Sequence, residues 1–156
     1  MSETAIIIHD VRSVQNVASI FRTAAAAGIG TIYLVGLTPT PVDRFGRQRK
    51  DFAKIALGSE HIVSWEHYKS IVSIFKKLKK EKFYIIGLEQ SKNSIDYKKV
   101  KAKKKTAIVV GNEVKGLPKK VLDKCDVVAE IPMPGQKESL NVSIALAIAL
   151  FRVWGI

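Results

Sequence analysis

Five short apolar runs, rich in β-branched residues and separated by segments of helical pattern, constrain the fold of this chain most strongly. Strands that alternate apolar and polar residues have one face in water, whereas continuously apolar strands are buried on both faces. The pattern therefore predicts an α/β fold with a mostly parallel sheet and helices on both of its faces. The five runs are Ala5–His9, Thr31–Val35, Phe83–Leu88, Thr106–Val110 and Val127–Ile131, and Ile62–Ser64 is predicted as a brief further strand.

Capping residues and helix breakers delimit five predicted helices between these strands. Ser13 is a candidate cap for the first helix, and Gly28 is a good stop for it. Gly58 ends the second helix, and Pro118 suits the first turn of the fourth. A loop is predicted over Thr38–Lys50, and the helices over Gln15–Ala27, Asp51–Leu57, Glu66–Lys80, Pro118–Leu122 and Leu140–Val153.

The composition bounds the class of protein. A chain of 156 residues suits one well-filled core and is short for two domains. Its net charge of +12 favours a polyanionic partner, most plausibly nucleic acid, and the alternative is a charge that serves solubility alone. The single cysteine, Cys125, excludes an internal disulfide, and no signal peptide or bilayer-length apolar run is present, so we expect a cytoplasmic protein.

The segment Ile131–Ser143, IPMPGQKESLNVS, places a tight turn and a polar triplet between the last strand and the last helix. This arrangement is typical of ligand sites in α/β proteins. Ser139 could equally be only a helix cap. Asn141 is harder to explain as structure, because its amide lies in an apolar context and needs partners.

A glycine loop follows the strand in Ile108–Leu117, IVVGNEVKGL. Gly111 and Gly116 have the spacing of a phosphate-binding P-loop, but a leucine and a proline stand where that motif needs lysine and serine or threonine. Glu113 would also put a negative charge inside the phosphate cradle. A neutral or cationic ligand therefore fits better, and the alternative is a plain strand-to-helix turn.

The third notable segment is Asn16–Ile29, NVASIFRTAAAAGI, where Arg22 stands in an otherwise apolar stretch. A cation in such a place must be paired, or must face a cleft or an interface. It could be a simple interfacial salt-bridge residue. The run Ala24–Ala27 allows another backbone to approach closely.

These three segments closely resemble, in the same order, the motifs of SpoU-type (TrmH family) RNA ribose methyltransferases of the SPOUT superfamily, over about Ile6 to Phe151. The resemblance implies an RNA (ribose-2′-O-)-methyltransferase that uses S-adenosyl-L-methionine (AdoMet) on structured RNA, with tRNA the first expectation and rRNA the second. It further implies a single SPOUT domain over residues 1–156 without a separate RNA-binding domain, a C-terminal trefoil knot, and a homodimer through the first and last helices.

The resemblance also assigns roles to individual residues. It places Arg22, Asn16, Glu113, Ser139 and Asn141 at the catalytic centre. It implies cofactor binding by Leu88, Glu89, Gly111, Asn112, Gly116, Ile131, Met133 and Leu140. It implies RNA contact by Arg22 and by the DRFGR loop with its neighbour, through Arg44, Arg47 and Arg49, where arginine forks suit phosphates and the aromatic ring of Phe45 can stack on a base.

Two questions stay open at the level of sequence. Arginine has a pKa above about 12, so acting as a base near neutrality would require a fall of roughly five units, at a cost of about 7 kcal/mol. The alternative is that Arg22 stays charged and stabilises the forming alkoxide. A non-catalytic RNA-binding module and a nucleotide-phosphate-binding protein are the rival functions, while no dinucleotide motif, metal-ligand spacing or Ser–His–Asp arrangement is found.

The last predicted helix is apolar on almost every side. A helix without a polar face must be buried all round. In a domain this small we expect one face to meet a partner subunit, and the alternative is a fully internal helix.

Overall fold

The structure is a computed structural model that describes residues 2–156. Its strands form a single seven-stranded sheet, and every pair of hydrogen-bonded neighbours is parallel. The strands are β1 (Glu3–His9), β2 (Thr31–Val35), β3 (Ser64–Tyr68), β4 (Tyr84–Leu88), β5 (Ile95–Asp96), β6 (Lys105–Val110) and β7 (Val127–Glu130). Their order across the sheet is β3-β2-β1-β6-β4-β7-β5.

The described residues include six helices, five between strands and one after the last strand, and local signals fix several of their ends. Ser13 caps the first helix by accepting the backbone N–H of Asn16, and Gly28 ends it in the left-handed conformation, both as predicted. The helices are α1 (Val14–Ala27), α2 (Lys50–Ala56), α3 (Ser59–Ile62), α4 (Ile71–Lys80), α5 (Lys119–Leu122) and α6 (Val142–Trp154), and a short 3-10 helix spans Tyr97–Lys99.

Both faces of the sheet carry a hydrophobic core, which confirms the predicted fold class. On one face Ile6 and Ile8 of β1 belong to the core cluster that includes Phe21 of α1 and Leu146 of α6. On the other face Ile7 belongs to a second cluster together with residues of α4. Successive side chains of a strand point to opposite faces, so a strand buried on both must be apolar throughout.

The parallel arrangement places the carboxyl ends of β1, β6, β4 and β7 along one edge of the sheet. β6 lies between β1 and β4, with Ile108 level with Ile6 on one side and Ile86 on the other. The loops that follow these strands, which carry the motif residues, therefore meet at this edge. Within residues 2–156 no helix is long and apolar enough to cross a membrane.

The prediction was wrong in the region of β3. Ile62 ends the short helix α3 instead of starting a strand, and the strand runs on to Tyr68. The predicted helix from Glu66 begins only at Ile71, after Ser70 caps it through the N–H of Val72. β3 is an edge strand with a largely polar sequence, SWEHY, so its pairing with β2 decides its conformation and the sequence carries no apolar signal for it.

Smaller differences occur at the ends of other elements. The last helix begins at Val142 and not at Leu140. β7 ends at Glu130, so Ile131 already lies in the following loop. The two-residue strand β5 and the 3-10 helix were not predicted, because neither is long enough to carry a periodic pattern.

Helix α6 is not fully internal. Leu146, Ala149, Leu150 and Val153 are buried, but Ile144, Ile148 and Phe151 are 53%, 39% and 38% exposed. Residues at i, i+4 and i+7 lie on one side of a helix. These three residues form an exposed apolar stripe, called the α6 stripe below, and the alternative of a fully internal helix is therefore wrong. The trefoil knot and the dimer stay predictions.

Candidate functional site

A cleft of about 500 Å³ opens at the carboxyl edge of the sheet. It lies where β4, β6 and β7 end and where α1 and α6 begin. Ligand sites in open α/β sheets form at this edge. Its lining consists of Asn16, residues 88–90, residues 110–114, Gly116, Glu130, Ile131, Met133, residues 138–142 and Ala145.

Glu113 joins the glycine loop after β6 to the start of α1. Its Oε1 accepts the N–H of Ser13 at 3.0 Å and the side-chain amide of Asn16 at 3.4 Å, and its Oε2 accepts the N–H of Arg12 at 3.3 Å. A carboxylate is stabilised at a helix N-terminus, where unpaired N–H groups point outward. Burial raises the pKa of Glu113, but the hydrogen bonds from Ser13 and Arg12 outweigh it and leave the pKa below its ordinary value. Glu113 is therefore held as an anion.

Asn16 continues this connection to the third motif. Its Oδ1 accepts the side-chain amide of Asn141 at 3.0 Å. Asn141 in turn caps α6, because its Oδ1 accepts the N–H groups of Ser143 and Ile144 at 2.9 and 3.3 Å. A chain of hydrogen bonds from Glu113 through Asn16 to Asn141 thus links all three motif segments. Its members are far apart in sequence and adjacent in space.

The alternative reading of Ser139 as a helix cap is wrong, because Asn141 occupies that position. Ser139 lies in the cleft lining with its side chain exposed. The amide of Asn141 has the hydrogen-bond partners that it requires, Asn16 and the N–H of Ser143. Capping α6 is therefore by itself a structural reason for an asparagine at this position.

The two glycines of the second motif are required by close packing inside the site. A Cβ on Gly111 would lie 2.6 Å from the carbonyl carbon of Gly116. Gly116 has a φ of +65°, and a Cβ there would overlap Oε2 of Glu89. That same oxygen accepts the N–H of Leu117 at 3.0 Å. The carboxylate of Glu89 therefore packs directly on the glycine loop, which a side chain at position 116 would displace.

Two amide side chains hold the rim of the cleft. Asn112 donates to the carbonyl oxygen of Asp10 at 2.8 Å, and its own oxygen accepts the N–H groups of Val114 and Lys115. Gln90 donates to the carbonyl oxygen of Glu138 at 2.8 Å, which ties the loop after β4 to the loop before α6. The glycine loop is thus anchored to β1 and is more than a plain connecting turn.

The charge of the cleft is opposite to that of the whole chain. The chain has a formal charge of +12, yet none of the lysines and arginines in the described part of it lines the cleft. Glutamates supply all of its charged lining: Glu89, Glu113, Glu130 and Glu138. Such a cleft favours a cation and disfavours a phosphate group. The apolar side chains of Leu88, Ile131, Met133 and Leu140 supply the rest of its character.

The structure brings together most of the site residues that the sequence predicted. All eight predicted cofactor residues line the cleft, as do Asn16, Glu113, Ser139 and Asn141. Arg22 does not line it and is exposed on α1. Among residues 2–156 no carboxylate lies within ion-pair distance of Arg22, so the arginine is on the surface and not in an internal salt bridge.

The predicted RNA-contacting loop lies outside the cleft and forms a tight turn. Val42 and Gln48 pair across it as an antiparallel bridge. The carboxylate of Asp43 accepts the N–H groups of Phe45 and Arg47 and also Nε of Arg47. Further along, Arg49 pairs with Asp51, with Nη2 and Oδ2 at 2.9 Å. Two of the loop's three arginines therefore have an internal carboxylate partner.

A comparison with known protein families decides the relationship. The model of the SpoU rRNA Methylase family matches residues 3–151. The chain belongs to this family. A protein of Staphylococcus aureus (strain COL), named as a TrmH family tRNA/rRNA methyltransferase, is 30% identical over 151 residues, which are 97% of this chain and 58% of that protein. The chain thus spans less than two thirds of the length of this relative.

Solved structures of the SpoU family agree with the fold. The AdoMet-bound rRNA methyltransferase from Sinorhizobium meliloti superposes with a TM-score of 0.85 at 28% identity, over 97% of this chain and 55% of that one. The TrmH/SpoU tRNA modifying enzyme of A. aeolicus gives a TM-score of 0.84 at 27% identity, over 98% of this chain and 74% of that one. These matches confirm the predicted family and the predicted architecture.

Sequence reasoning missed Glu130 and Glu138, the two cleft glutamates whose carboxylates accept no hydrogen bond from the described residues. Glu130 is the last residue of β7, so its place at a carboxyl strand end was a usable signal. Glu138 lies in an irregular loop, and no sequence pattern of that loop indicates that the residue lines the cleft.

Proposed function

We propose that this chain transfers a methyl group from AdoMet to a ribose 2′-hydroxyl of structured RNA. The observation that carries the proposal is the convergence of the three family motifs on one cleft at the carboxyl edge of the sheet. A volume of about 500 Å³ suits a nucleoside-sized ligand.

The donor set of the cleft fits AdoMet. AdoMet carries a sulfonium cation and no phosphate, and the cleft presents four glutamates and no basic side chain from the described residues. Leu88, Ile131, Met133 and Leu140 provide apolar walls for an adenine ring, and the backbone of the same loops can read its edge. When bound, the cofactor supplies the electrophilic methyl group.

Gly111 and Gly116 allow the cleft backbone to approach a ligand closely, while Glu89 and Asn112 hold that backbone in place. In this proposal Ser139 and Asn141 contact the reacting ribose, and Glu113 and Asn16 position Asn141 through the hydrogen-bond chain. The arrangement keeps the polar groups ordered before any ligand arrives, which reduces the reorganisation that reaction requires.

Arg22 completes the site from a second subunit in this proposal. It lies outside the cleft of its own chain, on α1, and α1 packs beside α6 with its exposed apolar stripe. Apolar surface of this kind is typical of subunit interfaces. A homodimer through α1 and α6 would cover the α6 stripe and carry Arg22 toward the partner's cleft. There the charged guanidinium would clamp the RNA phosphate and stabilise the forming alkoxide. In the alternative role, the neutral form of Arg22 would accept the proton of the 2′-hydroxyl.

The RNA target is tRNA as the first candidate and rRNA as the second, since the S. aureus relative is named for both. Arg44, Arg47 and Arg49 would contact the RNA outside the cleft. Incubating the protein with total RNA tests both candidates in one experiment, because the labelled band identifies the substrate.

The deciding experiment is incubation with methyl-labelled AdoMet and total unmodified RNA, beside Arg22→Ala. We expect label in a defined RNA band, retained after alkali as a 2′-O-methyl nucleotide, and absent with the variant. Absence of both label and calorimetric binding of AdoMet would refute the proposal in favour of a non-catalytic RNA-binding module. Saturable ATP binding in the cleft would instead favour a nucleotide-phosphate protein.

The contribution of Arg22 across the dimer has its own test. Arg22→Ala is expected to be inactive, and Asn141→Asp to lose about ten- to a hundredfold of the wild-type activity. In mixed dimers the intact cleft of the first variant meets the intact arginine of the second, so activity should partly return. Mixed dimers with no more activity than the two variants have alone would mean that Arg22 serves the cleft of its own chain.

The pH–rate profile of Arg22→Lys separates the two chemical roles. Lysine has the lower ordinary pKa and can act as a base, so a base role predicts retained activity with a shifted profile. If the planar fork must hold ribose and phosphate together, activity should be lost at every pH.

A further inference from the structure

We infer that the turn at residues 42–48 is a preformed stacking platform for an unpaired RNA base, so that the RNA segment recognised beside the cleft is single-stranded. The inference rests on the proposed function, because it takes RNA as the substrate. It goes beyond that proposal by naming the structural class of the RNA segment. Below, these residues are called the Phe45 turn.

The Phe45 turn carries a largely exposed aromatic ring at its tip. Phe45 is 67% exposed at the tip of the turn. Among the exposed large apolar side chains of residues 2–156, only Phe45 and Phe151 are aromatic, and Phe151 belongs to the α6 stripe. Stacking on an exposed aromatic side chain is how proteins commonly hold an unpaired base.

The turn is rigid enough to present this ring without further ordering. The Asp43 carboxylate accepts the N–H of Phe45 at 2.8 Å and the N–H of Arg47 at 3.0 Å, and the N–H of Asp43 itself donates to the carbonyl of Arg47 at 2.8 Å. Gly46 takes the positive φ of +77° that the tip requires. A binding surface ordered in advance loses less entropy when its ligand arrives.

Both arginines of the turn hold their guanidinium groups over the ring of Phe45. The guanidinium carbon of Arg44 is 4.8 Å from the ring centroid of Phe45, and that of Arg47 is 5.0 Å from it. Both distances are within the range of cation–π contacts. Unpaired bases stack on guanidinium planes as well as on aromatic rings, so the two arginines add stacking surface at the tip of the turn.

The charges of the turn argue against a simple phosphate clamp. Nε of Arg47 lies 3.0 Å from Oδ2 of Asp43, so its charge already has a partner. Arg44 has no carboxylate within ion-pair distance among the described residues and is the cation left for a neighbouring phosphate. A duplex would offer the turn phosphates only, because its bases already stack on one another.

The loop that carries the Phe45 turn begins next to the rim of the cleft. The N–H of Leu37, at the start of the loop, donates to the side chain of Asp10 at 2.9 Å. The carbonyl oxygen of Asp10 accepts the amide of Asn112, a cleft residue. The loop that carries the Phe45 turn therefore starts at the same edge of the sheet as the cleft.

The test compares two RNA probes of the same nucleotide composition, a hairpin with an unpaired loop and a fully paired duplex. Binding of each is measured by fluorescence anisotropy at fixed salt. Loss of one stacked base is worth a factor of about 5 to 150, so Phe45→Ala should weaken hairpin binding by about tenfold or more. Duplex binding should stay unchanged, and Phe45→Trp should keep the hairpin affinity.

Two further variants control the interpretation. Val72→Ala removes another exposed apolar side chain, on α4, and should leave both affinities unchanged. Arg44→Gln should lower the salt dependence of binding to both probes by about one unit of slope, because it removes a phosphate contact and not the ring. Circular dichroism and AdoMet binding should be the same for Phe45→Ala as for the wild type.

Equal losses of affinity for hairpin and duplex in Phe45→Ala, or no loss for either, would overturn the inference. If Phe45→Ala methylates RNA as well as the wild type does, the inference is overturned and the methyl-transfer proposal stays intact. Hairpin binding that depends on Phe45, in a protein that binds no AdoMet, would support the platform and refute the methyl-transfer proposal.

Discussion

Asn141 provides the sharpest test of the site, because its structural and chemical roles can be separated. Its Oδ1 caps α6 through the N–H groups of Ser143 and Ile144, and its Nδ2 donates to Asn16. Replacing a capping asparagine by alanine costs about 1 kcal/mol. A neutral, partly exposed hydrogen bond such as that to Asn16 adds about 0.5 kcal/mol. Asn141→Ala should therefore lower the melting temperature by roughly 3–6 °C in a domain of this size.

Asn141→Asp retains the cap and removes the donor. A carboxylate oxygen accepts the same two N–H groups, and a negative charge is favourable at a helix N-terminus. Stability should therefore stay within about 0.5 kcal/mol of the wild type. Methyl transfer should still fall by about ten- to a hundredfold, since the hydrogen bond between residue 141 and Asn16 is lost and small displacements at a reacting centre are costly.

Thermal unfolding and single-turnover methyl transfer, measured on the same preparations, check both parts. Ser70→Ala is the matched control, because it removes the cap of α4 far from the cleft. It should lower stability by about 1 kcal/mol and leave turnover unchanged. Full activity of Asn141→Asp would show that only the capping oxygen matters and would refute the role of the hydrogen-bond chain.

Three more predictions follow from the geometry of the site. Gly116→Ala should cost about 1–3 kcal/mol in urea unfolding and abolish AdoMet binding, because φ is +65° and the new Cβ overlaps Glu89. Gly135→Ala, with no atom within 4 Å of its Cβ, should change neither quantity. The pKa of Glu113 is raised by burial but lowered further by its hydrogen bonds, so its net stabilisation should be complete above its ordinary pKa of 4.5 and lost as pH falls through the lowered pKa. Stability of Glu113→Gln, measured by urea unfolding across the acid range, should depend less on pH than that of the wild type, and parallel curves would contradict the assignment. Burial raises the pKa of Cys125 to about 12, so iodoacetamide near pH 8 should label the unfolded chain and spare the native one. Rapid native-state labelling would disprove that burial.

Local sequence signals predicted an element correctly where its segment has its own capping residue, apolar pattern and terminating residue. The ends of α1 follow from Ser13 and Gly28, and the central strands follow from their apolar runs. The same reasoning failed at β3, whose polar residues have no apolar pattern and whose conformation depends on pairing with β2. The resemblance to the SpoU family supplied the site residues of the second and third motifs, and the structure brings them together because loops at the ends of parallel strands converge on one edge.

The sequence by itself predicted a parallel sheet buried on both faces, since continuously apolar strands are typical of covered sheets and helices between strands are typical of parallel connections. It also indicated that the glycine loop suits no phosphate. Only the tertiary structure decided that Glu113 meets the start of α1 across 100 residues, that the cleft is entirely acidic in its charge, and that Arg22 lies outside it. These properties depend on the order of strands in the sheet, with β6 between β1 and β4, and contacts between distant segments leave no periodic trace in the sequence.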